Sequence, residues 1–243
     1  MAERSVTAIV LRRRDAGESD RRLTILCPEE GRIEVVAKGA RKGGSRLAGS
    51  SEPLTFSRMT IASGKALGYV TQVQPQSSFP GLRRDYERLN CALAWAELFE
   101  AVSTEGADAE ALFELLHAGL QILEHHENPT AAFCWLALRL LDLEGCQPSW
   151  ATCLESGHRL KENPAWFSPG QGGYRGPAVS PGHGDWVSAE GLLTLEKLEP
   201  LDQPPPKMKY QRECLDILHL TWTEFAHKKL PTLKQLIDLM TSP

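Results

Sequence analysis

The residues able to do chemistry fall into two groups along the 243-residue chain. The first is Cys146, Cys153, His158 and His183, two sulfurs and two ring nitrogens within 38 residues. Zinc accepts such a donor set in tetrahedral geometry, but structural sites present close C-x2-4-C pairs. Here the spacings are C-x6-C and C-x4-H. The alternative is a packed aromatic loop with incidental cysteines, and no metal or other cofactor is expected. The second group is cationic: Arg12, Arg13, Arg14, Arg21, Arg22, Arg32, Lys38, Arg41, Lys42 and Arg46. No acidic residue lies between Glu34 and Glu52. Such a group grips a polyanion through phosphate contacts, with weak sequence dependence and strong salt dependence. The alternative is an ordinary solvated basic surface.

The charge balance favours the polyanion. The chain carries a formal net charge of -4, yet residues 1–50 hold eleven Lys/Arg against seven Asp/Glu. A basic first segment joined to an acidic remainder predicts that one end meets a polyanion. Catalytic sets are missing. "GARKGGS" resembles a phosphate loop, but Ser45-Arg46 follows Gly44 where a Lys-Ser/Thr pair would grip phosphate and magnesium. No Gly-x-Ser-x-Gly elbow and no paired acidic motif of a two-metal nuclease occurs. His125-His126 closes a helical pattern, where surface histidines suit the negative end. An enzyme is therefore not expected.

These groups must be positioned by elements with different periods. "GRIEVVAKG" alternates Ile33, Val35 and Ala37 with Arg32, Glu34, Val36 and Lys38, and "RRLTILCP" puts Leu23, Ile25 and Cys27 on one face. Both are period-two patterns of half-buried strands. "SVTAIVLRRR", "PLTFSRMTIAS" and "ALGYVTQVQP" supply three more. Five short strands predict a small antiparallel barrel, either oligonucleotide-binding or SH3-like. Arg12 and Arg14 share one strand face, as do Arg32 and Lys38, and the aromatic platforms available to bases are Phe56, Tyr69 and Phe79. The glycines of "KGARKGGSR" are read as freedom for a loop to follow a backbone.

After Pro80 the pattern turns helical. Segments 85–102, 108–126 (opened by an Asp108 cap), 128–145, 188–199, 208–228 and 230–240 carry helical spacing. Residues 146–186 hold seven glycines, five prolines and Trp150, Trp166, Phe167, Tyr174 and Trp186. They read as a compact irregular insert, too broken for regular structure. The division is 1–79 barrel, 80–145 helical domain, 146–186 insert and 187–243 terminal helices, an α+β chain. The six cysteines form no disulfide framework, the N-terminus is no secretory signal, and no apolar run spans a bilayer. A cytoplasmic protein without a membrane partner is expected.

The stretch "VLRRRDAGESDRRLTILCPEEGRIEVVAKGARKGGSRLAG" resembles the bacterial RecO family of recombination mediators. The resemblance is carried by Glu18-Ser19, the acidic turn Glu29-Glu30-Gly31, Ala37 to Arg41 and Leu47-Ala48-Gly49, and continues in "EPLTFSRMTI", "GYVTQVQ" and "LEGCQPSWATC". It covers nearly all the chain and is specific over residues 8–49. Many members carry C-x2-C…C-x2-C in the insert and bind zinc. Here Cys153 alone matches, Ser156 stands at the second cysteine, and "GGYRGPAV" replaces the second pair. The resemblance implies an N-terminal five-stranded oligonucleotide-binding barrel, a helical domain and a zinc-ribbon-like insert lacking the metal set. It further implies a non-enzymatic mediator that binds single- and double-stranded DNA and anneals complementary strands. With RecR, such a mediator helps RecA displace single-strand-binding protein, whose tail meets the helical part, and it would associate with the nucleoid. Arg139 or a basic residue near the terminal helices would receive that acidic tail. The candidate DNA-binding residues are Arg12, Arg14, Arg22, Arg32, Lys38, Arg41, Lys42 and Arg46. An RNA-binding barrel and a purely protein-binding helical scaffold are the rival readings.

Overall fold

The computed structural model describes residues 3–106 and 109–240 and forms two compact units, Met1–Glu124 and His125–Pro243. In the first unit, strands β1 (Glu3–Ala16), β2 (Asp20–Cys27), β3 (Gly31–Ala37), β4 (Phe56–Ala62) and β5 (Gly68–Ser77) close a barrel in the order β1-β2-β3-β5-β4. β3 and β5 pair in parallel and the other neighbours antiparallel. This closure, with a single helical turn α1 (Leu47–Ser50) between β3 and β4, is the oligonucleotide-binding arrangement. The SH3-like alternative falls away.

The period-two alternation decides the interior. Val6, Ala8 and Val10 of β1 meet Leu23, Ile25 and Cys27 of β2, Ile33, Val35 and Ala37 of β3, and Met59, Ile61 and Val70. Ala40 and Leu47, from the connection after β3, pack against the same core. Burial pushes the Cys27 thiol up to about 12, so this cysteine acts as a small hydrophobe. Continued alternation after Val10 would send Arg12 and Arg14 inward. A register shift between Val10 and Arg12 prevents that, so Arg12 opposes Thr24 and Arg14 opposes Arg22 on the outer face.

Two helices join the barrel in this unit. α2 (Tyr86–Val102) is capped by Asp85, whose carboxylate accepts the Arg88 N–H at 2.9 Å. α3 (Glu110–His125) follows; the Asp108 cap lies outside the described residues. The Arg32 N–H donates to the Thr104 carbonyl at 3.0 Å, Gly106 to Glu30 at 3.0 Å and Ala109 to Pro28 at 2.9 Å. Phe56 lies 4.7 Å from His117 and 6.1 Å from Phe113, ring centre to ring centre.

In the second unit, α4 (Pro129–Leu143) starts at the Asn128 cap and is buried along almost its whole length. Arg139 donates to the Glu199 carbonyl and lies over the Trp135 ring. The segment expected to lack regular structure holds a small antiparallel sheet. Its strands β6 (Ala165–Ser168), β7 (Gly173–Arg175) and β8 (Asp185–Val187) are ordered β7-β6-β8. Gly172 and Gly173, at φ 88° and 108°, make the sharp return from β6 to β7 that an L side chain would resist. Trp150 stacks on Phe167 with centroids 5.8 Å apart beneath it. Helices α5 (Ala189–Leu198), α6 (Gln211–Ala226) and α7 (Pro231–Leu239) complete the unit. No helix of the described residues is long and apolar enough to cross a membrane.

Candidate nucleic-acid interface

The outgoing end of β1, the incoming end of β2 and the outgoing end of β3 meet at one edge of the barrel. Cross-strand register sets Arg14 opposite Arg22, Arg22 opposite Val36 and Val36 opposite Tyr69, one continuous outward row over four strands. Lys38 leaves β3 beside that row, its Nζ 3.8 Å from the centre of the Tyr69 ring. The cation–π contact fixes the ring and leaves the lysine exposed.

The glycine-rich connection is built differently from the flexible loop its composition suggests. It is a chain of tight turns, with Lys42 N–H donating to Gly39 O at 3.1 Å and Ser45 N–H to Lys42 O at 3.1 Å. Gly39 and Gly44 take φ 65° and 75°, so the glycines serve turn geometry. The turns are fastened to the β1–β2 connection: Arg41 N–H donates to Ser19 O at 2.9 Å, Arg41 Nη1 to Gly17 O at 3.0 Å, and Gly39 N–H to the Asp20 carboxylate at 2.8 Å. That Gly39 bond, then the Ser19 hydroxyl, hold the Asp20 carboxyl below its ordinary range. Arg41 and Lys42 are thereby presented next to Arg14, Arg22 and Lys38. Arg46 stands exposed at the far end of the same connection.

The eight candidates differ in what already holds them. Arg12 pairs with Glu100 at 3.3 Å, Arg22 with Glu34 at 3.0 Å and Arg41 with Asp15 at 3.5 Å. Arg32 donates to the Glu100 carbonyl, so its guanidinium ties β3 to α2 instead of joining the row. Among the described residues, Arg14, Lys42 and Arg46 have no ion pair. Two further arginines of the basic group share Glu52: Arg13 at 3.0 Å and Arg21 at 3.1 Å. Arg21 also donates to Ala48 O and Ser51 Oγ, pinning α1 to β2. Of the three aromatics, Phe56 packs against His117 and Phe79 is buried, leaving Tyr69 beside the cations. The carboxylate partners were invisible to a reading of cation spacing. Glu34 alone was legible as a neighbour of a cation, since it shares a face of β3 with Arg32.

Further along the same outer face the charge reverses. A cleft of about 660 Å³ runs beside β2, β3 and the β4–β5 connection. It is lined by Glu29, Glu30, Glu34, Glu100 and Glu105, with only Arg4 and Arg32 of opposite sign. Arg4 is itself held by Glu30 through two hydrogen bonds of 2.6 and 2.8 Å. Electrostatics disfavours a polyanion in this cleft.

The four residues considered for zinc are not brought together. Among the described residues no group of three or more metal-ligating side chains converges. The Cys146 thiol points at Leu141 O, the His158 ring faces Glu162 at 3.3 Å, and His183 lies exposed in the connection before β8. Cys153 is met by hydrogen-bond donors instead of further metal ligands. A Cβ placed on Gly176 would lie 3.1 Å from Ser156 Oγ and 3.4 Å from Cys153 Cβ, so the three positions face one point. One thiol, one hydroxyl and a glycine do not fit a tetrahedral zinc centre. Burial pushes the Cys153 thiol up; the Ser156 hydroxyl and the backbone N–H groups of Gly176, Ser156 and Glu155 outweigh it and bring it to about 7.

Comparison with known proteins shows the family. Residues 1–79 match the family model "Recombination protein O N terminal" and residues 83–205 match "Recombination protein O C terminal". The DNA repair protein RecO of Desulfitobacterium hafniense is 33% identical over 233 residues, covering 94% of this chain and 81% of that protein. The DNA repair protein RecO of Heliobacterium modesticaldum is 38% identical over 193 residues, covering 77% and 70%. With both halves matched in order on an oligonucleotide-binding barrel and a helical unit, the chain belongs to the recombination protein O family, RecO.

Proposed function

We propose that this chain is a DNA-binding recombination mediator acting in DNA repair, in the cytoplasm and at the nucleoid. It binds single- and double-stranded DNA at the turn end of the barrel, anneals complementary strands and, with RecR, helps RecA load on DNA coated by single-strand-binding protein. The observation that carries the reading is the gathering of Arg14, Arg22, Lys38, Arg41 and Lys42 at one edge of a barrel in a RecO-family chain. The mechanism needs no catalytic group. Cations against two phosphate backbones lower their repulsion and leave base edges free to pair. In the helical unit, an apolar cleft of about 410 Å³ beside α6 and α7 is lined by Leu230, Pro231, Lys229 and Lys234. Lys229 at this cleft suits the acidic tail of single-strand-binding protein better than Arg139, which is engaged by the Glu199 carbonyl; Lys234 is paired with Asp238 at 3.3 Å.

The test is annealing of complementary oligonucleotides, bare and coated with single-strand-binding protein, together with anisotropy titrations across salt. Annealing of both, with affinity falling steeply in salt, is expected. No binding to any oligonucleotide at low salt sinks the reading in favour of a protein-binding scaffold. Tenfold preference for RNA over DNA of the same sequence replaces it with an RNA-binding barrel.

A further inference from the structure

We propose that Glu34 limits the affinity of the basic row, because its carboxylate competes with phosphate for the Arg22 guanidinium. The inference rests on the DNA-binding reading above. Arg22 Nε lies 3.0 Å from Glu34 Oε2, and the two side chains are 44% and 40% exposed. The other paired arginines of this surface tie elements of the fold together. Glu52 is shared by Arg13 and by Arg21, whose side chain is 13% exposed and anchored on α1. Arg12 joins the barrel to Glu100 of α2, the residue whose carbonyl also takes Arg32. Arg41 is fastened to Gly17 and Ser19 by bonds that do not involve Asp15. Arg22 and Glu34 hold only one another among the described residues, so Arg22 is the paired arginine of the row with no anchor besides its carboxylate, and phosphate must compete with Glu34 for it.

Position gives that competition its consequence. Glu34 opposes Thr24, which opposes Arg12, the row directly beside Arg14–Arg22–Val36–Tyr69. Two residues along a strand are about 7 Å apart. A backbone held by Arg22 therefore meets Glu34 at its next step toward the acidic cleft, which Glu34 also lines. One carboxylate thus weakens the contact at Arg22 and ends the attractive surface. A strand held this loosely can be released once it has paired.

The experiment is an anisotropy titration of the full chain with single-stranded and duplex oligonucleotides across salt. The variants are Glu34→Gln and Glu34→Ala, with Glu114→Gln on the exposed face of α3 as a control of equal charge change. With Arg22 freed for a full phosphate contact, Glu34→Gln should bind about three- to tenfold more tightly at low salt, and its log–log salt slope should steepen by about 0.7 on single strands and 0.9 on duplex. The gain should shrink in the Arg22→Ala background, and Glu114→Gln should stay within about twofold of the parent. If the parent binds and both Glu34 variants match it or match Glu114→Gln in affinity and slope, the inference is overturned while the DNA-binding reading stands. If the parent binds neither oligonucleotide at low salt, both fall together.

Discussion

The two ends of the barrel's outer face share strands β2 and β3 but carry opposite charge, because the cleft end adds the β2–β3 turn and α2. At the turn end β1, β2 and β3 present Arg14, Arg22 and Lys38, and the connection after β3 adds Arg41 and Lys42. At the cleft end five glutamates face two arginines. Backbone pairing is continuous through both, and the core behind both is the same set of alternating apolar side chains. The fold therefore supplies a surface whose charge is set locally: at the cleft end by Glu34 of β3, Glu29 and Glu30 of the β2–β3 turn, Glu100 of α2 and Glu105 beyond it.

The strongest way to break this contrast is to remove the cations that nothing else holds. The triple variant Arg14→Ala, Lys42→Ala, Arg46→Ala should lose about 100-fold in DNA affinity at low salt, with a salt slope shallower by about two to three. Neutralising the cleft by Glu29→Gln and Glu105→Gln should change affinity by less than about threefold. Equal effects from the two variants in salt titrations would erase the distinction. Arg32 tests the border between the ends. Arg32→Ala loses the bond to the Glu100 carbonyl and should cost about 1–2 kcal/mol in urea unfolding, while DNA affinity stays within about twofold. A loss of affinity without loss of stability would move Arg32 into the interface.

A smaller effect is expected at the aromatic. Tyr69→Ala should weaken single-strand binding about fivefold, the lower end of base–aromatic stacking, and duplex binding less. Equal losses on both would assign Tyr69 to holding Lys38 only. The smallest effect lies away from both ends, at His117. Burial beside Phe56, Phe79 and Phe113 holds its imidazole below the ordinary range. The folded chain favours the neutral ring, so stability is full at neutral pH and falls as pH drops below about 6.5, the unfolded value. Thermal melts from pH 7.5 to 5.5 should show that fall, and His117→Phe should lessen it by about 1–2 °C.

Much of the barrel was legible because its signal is local. "GRIEVVAKG" and "RRLTILC" name their inward residues by alternation alone, and Ile33, Val35, Leu23 and Ile25 are where it puts them. The cations of the candidate surface were legible only as a cluster of residue types before residue 50. Three things were not. The outward aim of Arg12 and Arg14 depends on a register shift after Val10, which no spacing on β1 announces. The glycines from 39 to 44 read as freedom, but their turns are set by bonds to Gly17, Ser19 and Asp20. The short strands β6 to β8 are built where glycine and proline counts argue against strands, because two positive-φ glycines close the turn.

By itself, then, the sequence determined where the barrel strands run, which of their side chains form the core, and that positive charge is concentrated before residue 50. These follow from the character of residues one to a few positions apart. Only the tertiary structure decided which cations remain open. Arg32 meets the Glu100 carbonyl across 68 positions and Arg12 meets the Glu100 carboxylate across 88, while Arg14, Lys42 and Arg46 keep no ion pair among the described residues. An ion pair forms where folded chains bring charges within a few ångströms, and that proximity is written in strand register and helix packing rather than in the spacing of residues.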